Sequence, residues 1–155
     1  MINLRTLALG IAGSVLIASS ALAHDDVAAP AIKARHSLMS LYAYNLGSLG
    51  AMAQGKMPYD AEMAQAAADN LALLSKLNAA SMWPAGSDAD HAEGSNALPA
   101  LWENFPDVGA KAKALSDATD AMAAAAGTDL ASLQAAMGPL GGACAACHKA
   151  YRAPN

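Results

Sequence analysis

From residue 32 to residue 53 the chain repeats an alternating spacing of three and four. Ile32, Arg35, Met39, Tyr42, Leu46, Leu49 and Ala53 fall on one line, apolar except for Arg35, and Leu38, Leu41 and Met52 widen it. That period is one face of an α-helix, and its breadth suits packing against two neighbours. Pro30 is acceptable in a first helical turn, and Gly55 and Pro58 end the pattern, so a helix is predicted over 31–54, preceded by an acidic, frayed start at 24–29. A second helix is predicted over 60–81: Asp60 can cap it, Glu62 lies in its first turn, Met63, Ala67, Asn70, Leu74 and Leu77 keep the period, and Trp83-Pro84 stops it.

Residues 83–96 mix Pro, Gly, Ser and Asp without periodicity and read as a long surface loop. Residues 98–102 are a short apolar segment, one helical turn that can fold back as a lid. Phe105-Pro106-Asp107 opens a third helix over 107–126, with Val108, Ala112, Leu115, Thr119 and Met122 on one face and Gly127 as its stop. A fourth begins at Thr128 or Asp129 and carries Leu130, Leu133, Met137, Leu140, Cys144, Cys147 and Tyr151 at helical spacing. Pro139 and Gly141-Gly142 lie inside that stripe and predict a kink or break. Four such helices with short first and last connections and a long middle one define an all-α, antiparallel up-down-up-down four-helix bundle.

Composition agrees. Of 155 residues 42 are Ala and one is Phe, which favours helices over a β-sandwich, and 14% charged residues is too few for a disordered chain. Nine Lys and Arg against 13 Asp and Glu leave no basic footprint for nucleic acid. At the N-terminus, Arg5, the apolar run from Leu7 to Ile17 and Ala21-Leu22-Ala23 read as a secretory signal peptide over 1–23, with an uncleaved anchor as the alternative. Cleavage leaves a single domain over 24–155 with eight basic and 13 acidic side chains. No other stretch is expected to cross a bilayer. The mature protein is thus expected to be periplasmic and free of the membrane.

The two cysteines stand in Cys144-Ala145-Ala146-Cys147-His148, the pattern of c-type haem attachment. Thiols three apart on a helix project from one side and can both reach the vinyl groups of one porphyrin. His148 then supplies an axial nitrogen to the iron. A thioredoxin-like dithiol, half of a zinc site and a vicinal disulfide are the competing uses of two cysteines. The first wants a βαβ setting, and His24, His36 and His91 lack zinc spacing.

The C-terminal position of this motif, followed by Lys149-Ala150-Tyr151-Arg152, resembles the class II c-type cytochromes, which comprise cytochromes c′ and the low-spin cytochromes c-556. So do residues 33–39, Gly55-Lys56-Met57-Pro58-Tyr59-Asp60 and Leu98-Pro99-Ala100-Leu101-Trp102. The interruptions at Pro139 and Gly142 and the acidic loop holding His91 depart from the family pattern. The resemblance implies one covalent haem c between the first and last helices, Arg35 near the haem edge, Met39 over the distal face, and a homodimer through the first two helices, with Leu38, Leu41 and Met52 as candidate contacts. It leaves Met39 either a sixth ligand or a non-bonding distal residue.

From spacing alone, Arg35 and Met39 share a helix face, and an arginine on an apolar stripe needs an anion, for which haem propionates are suited. Snorkelling to solvent or pairing with a carboxylate is the alternative for Arg35, and ordinary core packing for Met39. Arg152, one turn past His148, can meet a propionate, steer the proximal side, or stay solvated at the helix end. Tyr42, Tyr44 and Trp102 are core or haem-contact candidates, and His36 and His91 are expected at the surface. Three functions follow: a one-electron carrier serving periplasmic redox proteins, a binder of a small gas such as NO, or a thiol oxidoreductase with Cys144 as nucleophile.

Overall fold

The computed structural model describes the backbone of residues 22–154 and side chains from residue 27. The predicted leader, apart from the backbone of its last two residues, and the His24 side chain lie outside the described residues. Four long helices, α1 (Leu22–Ala53), α2 (Ala61–Ser75), α4 (Phe105–Ala125) and α5 (Leu130–Tyr151), form the bundle, with a 3₁₀ turn at Ala80–Met82 and the one-turn α3 (Ala100–Glu103) in the middle connection. No strand occurs among the described residues, and the expected up-down-up-down bundle is what forms. Neighbours around it are α1 with α2, α2 with α4, α4 with α5 and α5 with α1.

Local chemistry sets the ends. Asp60 caps α2 by accepting from the Met63 N–H at 2.8 Å, and Asp129 caps α5 by accepting from Ser132 at 2.7 Å. Gly55 leaves α1 with φ of 68°, the left-handed conformation that frees the Lys56 N–H to bond the Ala51 carbonyl. The Tyr59 hydroxyl donates to the Ala126 carbonyl at 2.9 Å and so satisfies the far end of α4.

Four expectations are corrected. First, α1 begins before Pro30, so 24–29 is helical. Ala28 is already packed inside, and proline removes only one N–H from the ladder. Second, α2 stops at Ser75 instead of 81, and its buried face is Ala64, Ala67, Ala68, Leu71 and Ala72, while Met63 and Leu77 are exposed. Small side chains let α2 approach its neighbours closely, which outweighs the greater apolar area of Met and Leu. Third, α5 runs unbroken through Pro139 and Gly142. Pro139 and Ala135, whose carbonyl the proline leaves without a helical donor, both lie on the exposed side. Fourth, α5 is itself long and apolar enough to meet the length and composition of a membrane span. Its apolarity comes largely from Ala and Leu, and the helix packs against α1, α3 and α4.

The core is Leu49, Met52, Leu71, Met122, Leu133 and Leu140 with the small residues of α2 and α4, all fully or almost fully buried. Leu38 and Met52 belong inside, so of the three expected dimer contacts only Leu41 is exposed.

Candidate haem attachment site

The last two turns of α5 carry Cys144, Cys147 and His148. Both thiols are half-buried and free, and they are not joined to each other. Burial pushes each thiol above its ordinary value; His148 is exposed at its surface, and partial desolvation, helped by the Arg152 charge, pulls its imidazole below its own. A neutral imidazole is the form that binds a metal.

The wall opposite is α1. Gln134 donates to the Ala53 carbonyl at 2.8 Å, Gly50 faces the Met137 methyl, and Tyr42 lies close enough to Cys144 for the thiol to act on its phenol, which burial and that neighbour push up to about 12. Residue numbers fall along α1 as they rise along α5, in step. Of the four seams between neighbouring long helices, this one is the most sparsely packed.

Arg35 is buried, at 5% exposure. Nη1 donates to the Met82 carbonyl and Ser87 Oγ, both at 2.8 Å, and Nη2 to the Ser87 carbonyl at 2.7 Å and Ser95 Oγ at 3.2 Å. Its guanidinium also lies 4.7 Å from the Trp83 ring centroid, and Trp83 meets Trp102 edge to face at 6.0 Å. Every acceptor is neutral. Among the described residues no carboxylate comes within 4.0 Å of Arg35, and burial holds the guanidinium below its ordinary value. It neither snorkels nor pairs with a carboxylate.

Met39 is 40% exposed, although Arg35 and Leu38 beside it are buried. Tyr42 is half-buried, Tyr44 is 74% exposed and lines no core, and Trp102 donates to the Trp83 carbonyl at 3.2 Å. His36 and His91 are exposed. Arg152 caps α5, its N–H bonded to the His148 carbonyl at 3.0 Å.

Sequence reasoning missed two features. The loop serines that receive Arg35 lie 52 and 60 residues away, with no local signal to pair them. Tyr151, read only as stripe, donates to Asp107 on α4 at 2.5 Å, and Lys111 holds the other oxygen at 3.0 Å.

Two free thiols and an imidazole on one helix face, opposite a sparsely packed wall that holds a buried cation without an anion, fit a porphyrin bearing two vinyl and two propionate groups. The fold and this turn define a four-helix-bundle protein of the haem c class. The chain matches the cytochrome c′ family over residues 30–152 and belongs to it. It is 49% identical over 138 residues to cytochrome c-554 of Cereibacter sphaeroides, covering 88% of this chain and 90% of that one. It is 37% identical over 121 residues to a cytochrome c-556 of Agrobacterium tumefaciens, covering 78% and 95%. Among solved structures it is similar to cytochrome c′ from Rhodobacter sphaeroides, with a TM-score of 0.81 at 38% identity, covering 83% and 98%. Its cofactor is covalent haem c.

Proposed function

We propose that the mature protein is a periplasmic one-electron carrier, not an enzyme, with haem held at Cys144 and Cys147, His148 as proximal ligand and Met39 as distal ligand. When bound, the haem iron supplies the Fe(III)/Fe(II) couple. The observation that supports the ligand assignment is the α1/α5 register, seen in the pairs Ala53 with Gln134, Gly50 with Met137 and Tyr42 with Cys144: extrapolated one turn, it would set Met39 across from Cys147 and His148. Met39 is the exposed member of a helix face whose other members, Ile32, Arg35, Tyr42, Leu46 and Leu49, are buried or half-buried, which supports the same reading. A methionine sulfur raises the reduction potential of a haem iron, as electron transfer from weak donors requires. Arg35 supplies the charge for a propionate, and Arg152 stands beside His148 on the proximal side.

The second reading is a gas binder in which Met39 lies aside. Solved variants of cytochrome c′ from Alcaligenes xylosoxidans, 34% and 33% identical to this chain, carry carbon monoxide and NO. The test is electron paramagnetic resonance of the oxidised protein together with Met39→Ala. Ligation predicts a low-spin signal that the substitution converts to high spin, and a high-spin signal unchanged by it selects the gas-binding reading. Acid-acetone extraction that strips haem from correctly matured protein would remove both.

The homodimer is also part of this proposal. Leu41 and Tyr44 on α1 and Met63 and Leu73 on α2 are exposed, which supports an interface through these two helices.

A further inference from the structure

The C-terminal turn of α5 is tied to the first turn of α4 by one carboxylate. Asp107 receives the Tyr151 hydroxyl at 2.5 Å on one oxygen and the Lys111 ammonium on both, at 3.0 and 2.9 Å. Tyr151 is 6% exposed, so its ring is fixed by packing as well as by this bond. Both charges reach Cys147, Lys111 favouring its thiolate and Asp107 disfavouring it. Backbone bonds hold the same turn from a second side: Leu98 donates to the Tyr151 carbonyl and Ala153 to the Asn96 carbonyl, each at 2.9 Å. Tyr151 is three residues past His148 and four past Cys147, so all three sit on adjoining strips of one helix face.

We propose that Asp107 and Tyr151 are positioning residues for the haem-binding turn: their hydrogen bond fixes the rotation of the last turn of α5 and thereby the plane of the His148 imidazole. Lys111 keeps Asp107 aimed. The inference rests on His148 binding the iron of a covalently attached haem. A clamp of this kind differs from ordinary helix packing in what it controls. Packing sets stability, whereas the orientation of the proximal ring and the nearby carboxylate set the iron's electronic state.

The experiment uses matured, haem-loaded protein. Tyr151→Phe keeps the ring and removes the bond, and Asp107→Ala removes the acceptor and its charge. Each is expected to shift the g-values of the oxidised protein. Asp107→Ala should also raise the midpoint potential, because it removes a negative charge felt at Cys147, and negative charge on the haem-binding turn would favour the ferric state. Asp107→Glu should restore part of both shifts, and Lys113→Gln, in an exposed pair with Asp117 on the same helix, should leave both unmoved. Loaded Tyr151→Phe and Asp107→Ala with wild-type g-values and potential would overturn the inference, even if their melting temperatures fell. A wild-type protein without covalent haem would instead overturn the reading beneath it.

Discussion

Arg35→Gln is the substitution for which the structure gives the most definite magnitude. It removes four hydrogen bonds from a charged donor and a contact with the Trp83 ring. At about 1.5–3 kcal/mol for each bond to a charged group the simple sum exceeds 6 kcal/mol, which overstates the loss. Burying a guanidinium itself costs several kcal/mol, and glutamine escapes that cost. The acceptors also keep other partners: the Ser87 carbonyl still receives Ser95 Oγ at 2.8 Å, and Ser87 Oγ still bonds the Pro84 carbonyl at 2.7 Å. A net loss of about 3 kcal/mol follows, including about 1 kcal/mol for the ring contact. For a chain of this size that is a fall in melting temperature of about 10 °C. Hydrogen exchange should locate the damage, with faster exchange in 83–97 before the core of α4 and α5 responds. A melting temperature within about 2 °C of wild type, or unchanged exchange in the loop, would refute the view that Arg35 fastens it.

Two more predictions concern the loop and the assembly. Burial raises the Asp88 carboxyl, but bonds from His91 and the Asp90 N–H and the His91 charge outweigh it and hold it below 3.8, while the bond to Asp88 and its charge hold His91 above 6.5. The His91 contribution is complete below 6.5 and lost as pH rises through its higher folded value, and that of Asp88 is complete above 3.8 and lost as pH falls through its lower one. Exchange protection of 87–97, corrected for intrinsic rates, should therefore be greater at pH 5.5 than at pH 8, a difference His91→Gln should abolish. For the assembly, sedimentation at micromolar concentration should show a dimer that Leu41→Glu and Met63→Glu weaken. A monomer in the wild type would end that idea.

How far the sequence carried depended on contrast between residues. The stripe through Leu133, Leu140, Cys144, Cys147 and Tyr151 is plain because large side chains alternate with Ala and Gly, and C-x-x-C-H is local by nature. On α2 that contrast works against the reader. Alanine buries well by allowing close approach, yet hydropathy ranks Met63 and Leu77 above it, and the face came out rotated. Pro139 misled for a different reason, since its effect depends on whether the freed carbonyl meets water, a property of the tertiary fold. The partners of Arg35 and Tyr151 are 44 to 60 residues distant, beyond any periodicity.

The same uneven packing explains where a porphyrin has room. Ala64, Ala67 and Ala68 of α2 and Ala118, Ala123 and Ala126 on and after α4 let those two helices close on each other, and Thr119 bonds Ser75 across the seam at 2.9 Å. On the opposite side of the bundle, Tyr42, Leu46 and Met137 are large and only partly buried, and the Gln134 bond to Ala53 pins α1 to α5 at the end far from the cysteines. Past that bond the large side chains keep the two helices from closing on each other toward the other end. That end holds Cys144, Cys147 and His148, and Arg35 and its loop approach it from α1. On the proposed reading the haem occupies this seam, so closing it with small residues is expected to cost the cofactor its place: the seam most weakly packed in the polypeptide is the one the proposal gives to the haem.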